Sequence, residues 1–261
     1  MAMRYIERLC ETISVVRCDG EAVEISAGIL RRAIEGTHDV IDKFRDFDVD
    51  VFSILGMRNL SAFIGELYGA AVIKCADGLF AKNPHQDGYP DLLLMDDTGR
   101  AHWESLQDQL REKGPFSPFR TGGIEIKSTC GSVPAPAQCS ANGFEKPGIG
   151  DQRVQCLTGY DWKAHHRETN NLVGIFWDFI EGVPRIVAVF YSSNLNEADW
   201  GAIVQPRRGG GRTTSVSIMV RAGVRSMYDG WRFVLRDRRY VAFFDSYNRS
   251  DQLRRALKST G

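Results

Sequence analysis

The sequence predicts an α/β (α+β) fold, in which helices flank a mixed central β-sheet and a mainly helical N-terminal region comes first. Two observations predict it. Apolar residues recur at helical spacing between residues 4 and 75, whereas from residue 90 onward the apolar runs are short and rich in β-branched and aromatic residues. A chain of 261 residues, 43% of them hydrophobic and 25% charged, can bury an ordinary globular core.

The N-terminal part, residues 1–75, is predicted to be helical because its apolar side chains repeat at the period of a helix. Strands are expected to be scarce there. The positions at this spacing are Tyr5, Ile6, Leu9, Ile13 and Val16 in one stretch, and Phe52, Leu55, Leu60, Phe63, Leu67 and Val72 in another.

Seven short runs in the rest of the chain predict strands. They are PDLLLMD, GIEIKST, NLVGIFWDFI, RIVAVFYSS, TTSVSIMV, WRFVLRD and RYVAFFDS. Between these runs we expect helices over residues 151–168, near 195–203 and over 250–258. Pro and Gly punctuate the loops. The chain is therefore predicted to be a single domain, 1–261, with a core over 76–192 and a further part over 193–261.

The charge of the chain is unevenly distributed. Its formal net charge is zero, yet residues 201–261 hold thirteen Lys and Arg against four Asp, a net of +9 that leaves −9 for residues 1–200. Twelve of those cations are Arg, whose planar fork suits phosphates and guanine edges. The basic part therefore points to a nucleic-acid partner, and the alternative is a solvated face that keeps the protein soluble.

The sequence carries no signal for a membrane or for export. Its longest apolar stretches, such as NLVGIFWDFI, are too short to span a bilayer, and the N-terminus lacks the apolar core of a secretory signal. The six cysteines form no C-x-x-C pair, which argues against a zinc ribbon or a thioredoxin-type motif. We expect a cytoplasmic protein with no membrane partner.

Two strand-like segments carry charges that need an explanation. In GGIEIKST a period of two puts Ile124 and Ile126 on one face, and Glu125 and Lys127 on the other. In GYPDLLLM, Pro90 belongs at the start of a strand, which places Asp91 at the strand end. If the two segments are neighbouring strands, Asp91 and Glu125 converge beside Lys127.

Such an arrangement has a definite chemistry. Two carboxylates close together repel unless a cation lies between them, and hard oxygen ligands favour Mg²⁺. A bound Mg²⁺ polarises a phosphoryl oxygen and lowers the pKa of a bound water, while a lysine ammonium positions that water or stabilises developing charge. The segments therefore predict phosphodiester hydrolysis.

These residues resemble the PD-(D/E)XK nucleases, and among them the stand-alone type II restriction endonucleases. The resemblance consists of Pro90-Asp91, of Glu125-Ile126-Lys127, and of a predicted helix, strand, strand, helix, strand order between about residues 55 and 190. It implies a restriction-endonuclease-like core, with Mg²⁺ as the cofactor. It also implies that Asp91 and Glu125 bind the metal and that Lys127 serves the attacking water.

The resemblance further implies a glutamate on the helix before the first core strand. Glu66 is the one acidic residue of NLSAFIGELYGAAVIK, and is predicted as a third metal ligand. An isolated carboxylate on such a helix is otherwise a surface residue. Because 33 residues separate Asp91 from Glu125, residues 100–121 must form an excursion, which either lies near DNA or is an inert insertion.

Other polar residues near these segments have simpler interpretations. Asp96 and Asp97 lead into a D-D-T-G turn, where Asp is favoured for local hydrogen bonding. Asp87 is either a turn residue or a partner outside the direct metal ligands, and the turn is the favoured interpretation. His85 precedes the strand, but a loop histidine without a partner is more often neither a ligand nor a base. Cys156 and His165 lack a regular metal-ligand spacing.

The residues that contact DNA are predicted in the basic part. The best segment is the loop QPRRGGGR, because its glycines let the backbone approach DNA closely. The alternative is that several of these arginines pair with the acidic part of the chain. The candidates are Arg207, Arg208, Arg212, Arg221, Arg225 and Arg232.

Three functions remain open from the sequence. The first is a sequence-specific endonuclease that cuts double-stranded DNA with Mg²⁺ as a homodimer, since two scissile strands suit two-fold symmetry. The second is a repair or recombination nuclease with the same core that recognises DNA structure. The third is a DNA-binding protein without catalytic activity.

Overall fold

The computed structural model describes residues 3–160, 162–164, 167, 169–204, 217–247 and 250–258. The strands are β1 (Tyr5–Glu7), β2 (Thr12–Val16), β3 (Ala22–Ser26), β4 (Phe80–Lys82), β5 (Leu92–Leu94), β6 (Gly123–Thr129), β7 (Lys163–Ala164), β8 (Leu172–Ile180), β9 (Val183–Ser192), β10 (Ser217–Ile218) and β11 (Trp231–Leu235). The helices are α1 (Gly28–Lys43), α2 (Val51–Cys75), α3 (Asp97–Ser105), α4 (Pro136–Ala141), α5 (Arg221–Asp229), α6 (Arg238–Tyr247) and α7 (Asp251–Lys258).

A seven-stranded sheet organises the molecule in the order β1-β11-β9-β8-β6-β5-β4. Strands β6 and β8 pair in parallel, and the other neighbours are antiparallel. The predicted mixed sheet with flanking helices is therefore confirmed. Strand β1 pairs with β11, with Tyr5 opposite Leu235, so that residues from both ends of the chain share one sheet with the core strands.

Residues 3–26 contradict the helical prediction. They form β1 and the antiparallel hairpin of β2 and β3, in which Ile13 and Val15 alternate with more exposed neighbours. The period of two in Thr12–Val16 and the turn at Asp19-Gly20, where Gly20 has φ 88°, are hairpin signals. The helical spacing counted from Tyr5 to Val16 was wrong because it ran across two strands.

The rest of the N-terminal part is helical, as predicted. In α1 the buried side chains include Leu30, Ile34 and Ile41, and in α2 they include Leu60, Ile64, Tyr68 and Val72, four residues apart. Helix α2 lies directly on the sheet. A side chain at Gly69 would meet Ile126 of β6 at 3.1 Å, so this glycine permits the close approach.

Residues 151–168 were predicted to be a helix, and their described part is not one. It contains a single 3₁₀ turn at Val154–Cys156 and the short strand β7. The buried carboxylate of Asp178 on β8 accepts the backbone N–H groups of Arg153 and Val154, at 2.9 and 3.1 Å. These bonds hold the start of the 3₁₀ turn against the sheet.

Two further predictions in the C-terminal half were wrong. Residues 195–203 contain only the 3₁₀ turn Glu197–Asp199, and the run RYVAFFDS lies in helix α6. In that run Tyr240, Phe243 and Phe244 are buried and spaced for one helical face. Phe243 and Phe244 pack into a large aromatic cluster, and the Tyr240 hydroxyl donates to Asp178 Oδ2 at 2.8 Å. The predicted strands in NLVGIFWDFI, RIVAVFYSS and WRFVLRD, and the helix at 250–258, are confirmed. Of TTSVSIMV, Ser217–Ile218 form a strand and residues 213–216 lie outside the described part.

Among the described helices none combines the length and the apolar composition needed to cross a bilayer.

Candidate active site

Strands β5 and β6 are antiparallel neighbours, as the interpretation of the charged segments requires. Leu92 lies opposite Ile124 and Leu93 opposite Gly123, so the same register places Asp91 opposite Glu125. Strand β6 can approach this closely because Gly123 has no side chain, since a Cβ there would lie 1.9 Å from the Leu92 carbonyl oxygen. The Gly-Gly before IEIK therefore serves the strand pairing.

At Asp91 and Glu125, side-chain carboxylates accept backbone N–H groups of the neighbouring segment. The Asp91 N–H donates to Glu125 Oε2 at 3.1 Å, and the Ile126 N–H donates to Asp91 Oδ2 at 2.8 Å. Each carboxylate thus accepts a backbone hydrogen bond from the other strand. This exchange fixes both side chains at the same point.

Lys127 completes the group. Its Nζ lies 3.7 Å from Asp91 Oδ2 and forms an ion pair with Glu125. The side chain of Glu125 is 3% exposed, that of Lys127 23% and that of Asp91 33%. The structure therefore brings Asp91, Glu125 and Lys127 together, while their catalytic and metal-binding roles stay predictions.

The electrostatics of the group are unbalanced. Burial, and then the charge of Glu125, raise the pKa of Asp91 to about 7 in spite of Lys127. Burial acts to lower the pKa of Lys127, but Glu125 and Asp91 outweigh it and hold that pKa above its ordinary value. Lys127 is therefore a charged ammonium at neutral pH, and with both carboxylates ionised the site carries an excess of negative charge.

The group opens into a cleft of about 720 Å³. One wall is helix α2, at Ser61, Gly65 and Gly69, and the floor is formed by β5 and β6. The remaining wall is formed by residues 85–88 and by Lys113 of the excursion. This volume is within the range of ligand-binding clefts.

Glu66 lies on α2, as predicted, and lines the same cleft. Its carboxylate pairs with Lys82 of β4 at 2.6 Å, and its side chain is 58% exposed. Across the described residues, no three His, Cys, Asp or Glu side chains are grouped closely enough to hold a metal ion. The predicted three-carboxylate set of Asp91, Glu125 and Glu66 is therefore not assembled, because Glu66 extends toward Lys82.

The two remaining carboxylates still suit Mg²⁺. This ion is commonly held by one or two carboxylates, while water and substrate phosphates supply its other ligands. Asp91 and Glu125 offer hard oxygen atoms that share one lysine, and each carboxylate has more lone pairs than the hydrogen bonds above use. The donor chemistry and the excess negative charge both fit a divalent cation.

The segment before Asp91 is tied to the excursion. The side-chain amide of Asn83, which is buried, donates to the carbonyl oxygens of Pro90 and Phe116, at 3.0 and 2.9 Å. The Phe119 N–H donates to the Tyr89 carbonyl oxygen at 2.9 Å. Residues 83, 89 and 90 thereby hold Asp91 in place.

The predicted DNA-contacting arginines are only partly described. Arg207, Arg208 and Arg212 lie outside the described residues. Arg221 and Arg225 are exposed and lie one turn apart on α5. Arg232 on β11 is partly buried over the ring of Tyr191, 5.9 Å from its centroid, so it packs against the sheet.

Pairing of the C-terminal arginines with the acidic part was the alternative. The ion pairs of Arg239 with Asp237 and of Arg254 with Asp245 join residues that both belong to the basic part, at 2.7 and 3.3 Å. These two arginines therefore neutralise local aspartates.

Asp96 has the structural role expected of it. Its side chain accepts the Gly99 N–H at 2.8 Å and so caps α3, and it also pairs with Arg17 at 3.1 Å. Asp97 lies in the first turn of the same helix, where a negative charge is favourable. Neither residue lines the cleft.

Several residues that line the cleft were not predicted from the sequence, among them Lys82, Asn83 and Lys113. His85 and Asp87, which were interpreted as loop and turn residues, line it as well. No local pattern marks them, because they come from β4 and from loops that meet Asp91 only after folding. His165 and His166 lie outside the described residues.

Comparisons of the chain with protein-family models, with curated proteins and with solved structures found no match. The function is therefore inferred from the side chains of the site.

Proposed function

We propose that the protein is a Mg²⁺-dependent endonuclease that hydrolyses phosphodiester bonds of double-stranded DNA, in the manner of a type II restriction enzyme. The observation that carries the proposal is the convergence of Asp91, Glu125 and Lys127 at the opened edge between two strands, inside a cleft. The basic C-terminal part supports a nucleic-acid substrate.

The proposal gives each residue a role. Asp91 and Glu125 hold the metal ion, which when bound polarises the phosphoryl group and activates water. The two backbone hydrogen bonds between β5 and β6 keep both carboxylates aimed at one point. Lys127, held as an ammonium by its neighbours, orients the attacking water and stabilises the charge that develops on the phosphate.

The fold supports this proposal in its general form. A mixed sheet in which the inner strand β6 carries the E-x-K element, with β5 following the Pro-Asp on one side and β8 parallel on the other, is compatible with a restriction-endonuclease-like core. We further propose a homodimer, because cutting both strands of a symmetric site suits a two-fold axis. Sedimentation of the protein at several concentrations measures that state.

Incubation of the protein with phage DNA and Mg²⁺ tests the proposal. Discrete fragments support sequence-specific cutting, whereas cleavage confined to junctions or mismatched duplexes indicates the structure-specific alternative. DNA binding without any cleavage contradicts a nuclease. Asp91→Ala is the companion variant, and we expect it to bind DNA and not cut it.

A further inference from the structure

We infer that the excursion over residues 100–121 is a wall of the substrate cleft, in which Lys113 binds a backbone phosphate of the nucleic acid. This inference rests on the proposed function and assigns a partner to a segment that the sequence left either near DNA or inert. Lys113 lines the cleft that contains Asp91, Glu125 and Lys127.

The charges in the cleft single out Lys113. Three lysines line it, and two of them are engaged with carboxylates: Lys82 with Glu66, and Lys127 with Glu125 and Asp91. Lys113 is exposed, and among the described residues it forms no ion pair. A phosphate that enters a cleft containing several carboxylates needs a cation to meet it, and Lys113 has its charge available.

Buried side chains pack the excursion together, and this packing fixes the backbone position of Lys113. Its residues Phe116 and Phe119 are fully buried and stack on each other, with ring centroids 6.2 Å apart. Together with Leu93, Met95 and Leu106 they form a small hydrophobic core of their own. This satellite core packs the excursion against β5 through Leu93, which fixes the backbone that carries Lys113.

Hydrogen bonds also fix this wall to the catalytic strand. Asn83 joins the carbonyl oxygens of Pro90 and Phe116, and Ser117 Oγ accepts the Tyr89 N–H at 3.2 Å. The Phe116 N–H donates to the carbonyl oxygen of Lys113 itself at 3.0 Å. The backbone of Lys113 is therefore linked to the residue before Asp91 through three hydrogen bonds and the short chain between them.

Lys113→Gln and Arg111→Gln form a matched pair for the test. Both residues are exposed on the excursion and both changes remove one positive charge, but Arg111 does not line the cleft. The affinity of a short duplex oligonucleotide is measured in EDTA, where no cutting occurs, over a series of salt concentrations. Equal thermal unfolding midpoints show that both variants are folded.

We expect Lys113→Gln to lower the affinity several-fold and to reduce the salt slope by about 0.9, the value for one lost phosphate contact. Arg111→Gln should leave both quantities close to wild type. Wild-type affinity and slope in Lys113→Gln, or an equal loss in Arg111→Gln, would overturn the inference.

Cleavage of plasmid DNA with Mg²⁺, measured in parallel, separates the two proposals. A protein that binds DNA through Lys113 but does not cut it retains this inference and loses the proposed function. A protein that cuts DNA while Lys113→Gln binds and cuts as wild type keeps the function and loses the inference.

Discussion

Glu125 is 3% exposed, and a charge so deeply buried requires a cation beside it. Lys127 supplies that cation, and Asp91 adds a second negative charge to the same point. The three side chains are therefore one electrostatic unit, whose stability and chemistry depend on the same contacts. Two predictions follow from the contacts of single residues.

Lys127→Met should destabilise the protein, because it leaves Glu125 buried without its cation. We expect a loss of about 3 kcal/mol in the free energy of unfolding, measured in urea without Mg²⁺. Adding Glu125→Gln should recover most of that loss, since position 125 then no longer buries a charge. A Lys127→Met protein as stable as wild type would contradict the ion pair as described.

A comparison of Glu66→Gln with Glu125→Gln should show which of the two glutamates binds the metal ion. Glu66 pairs with Lys82 at the rim of the cleft, whereas Glu125 lies at the convergence point. Under the proposed function, the Mg²⁺ concentration for half-maximal cutting should change less than about three-fold in Glu66→Gln. Glu125→Gln should lower the rate by about a hundred-fold or more. An equal loss of cleavage rate in Glu66→Gln and Glu125→Gln would indicate that Glu66 is also a metal ligand.

At the scale of elements, α1 is docked on the sheet through a buried histidine. The Ile186 N–H of β9 donates to His38 Nε2 at 2.9 Å. Burial, and then the charge of Arg185, lower the pKa of His38 to about 3. The imidazole is therefore neutral in the folded protein across the physiological range.

His38 should make the protein sensitive to acid. Below its ordinary pKa of 6.5 the unfolded chain binds a proton at this residue and the folded chain does not, so stability falls as the pH drops from 6.5 to about 3. His38→Gln keeps an acceptor and removes the titration. At pH 4.5 we expect wild type to have lost about 2–3 kcal/mol more than His38→Gln, relative to pH 7. If the free energy of unfolding, measured in urea, falls equally in both proteins between pH 7 and pH 4.5, this prediction is refuted.

Helices and strands whose apolar residues repeat at one clear period were predictable from the sequence. Segments whose conformation depends on residues far along the chain were not. The alternation in Glu125-Ile126-Lys127 placed two charges on one face, and the run of apolar residues in α2 identified its helix. The segment 151–160 gave no local warning, because the carboxylate of Asp178 that organises it lies more than twenty residues further along the chain. The hairpin at Thr12–Val16 and helix α6 were misread for a different reason, since short apolar runs satisfy both periods.

The residues of the site also differ in how far the local sequence predicts them. Asp91, Glu125 and Lys127 are marked by charges at unusual places in apolar strands, so the sequence is informative about them. Lys113 is an ordinary exposed lysine in the sequence, and only the core formed by Phe116 and Phe119 brings its backbone to the cleft. Glu66 was placed on the correct helix, but its pairing with Lys82 depends on the packing of α2 beside β4.

At the scale of the whole molecule, the positive charge lies apart in sequence from the strands that hold Asp91 and Glu125. Residues 201–261 carry +9, and in the described part Arg221 and Arg225 expose two of these charges on one helix. Strand β11 joins this region to the same sheet that holds β5 and β6. One sheet therefore contains the strands that hold the two carboxylates and one strand of the basic part, β11.

Replacing Arg221 and Arg225 with Gln should weaken DNA binding if α5 faces the nucleic acid. We expect the salt slope of binding to fall by up to about 1.8, corresponding to two phosphate contacts, with no change in the unfolding temperature. Replacing Arg207, Arg208 and Arg212 with Ala tests the glycine-rich loop in the same way. A smaller salt slope of DNA binding identifies the set of arginines that contacts phosphates. An unchanged slope shows that the replaced set is not part of the interface.

The rate of plasmid cleavage by Lys127→Ala, compared with that by Lys82→Ala, tests the central claim most directly. Both lysines line the cleft and both pair with a glutamate, but only Lys127 lies beside Asp91 and Glu125. We predict that Mg²⁺-dependent cutting is lost in Lys127→Ala, which still binds DNA, and survives in Lys82→Ala. Cutting at the wild-type rate by Lys127→Ala would contradict the assignment of this site as the catalytic centre.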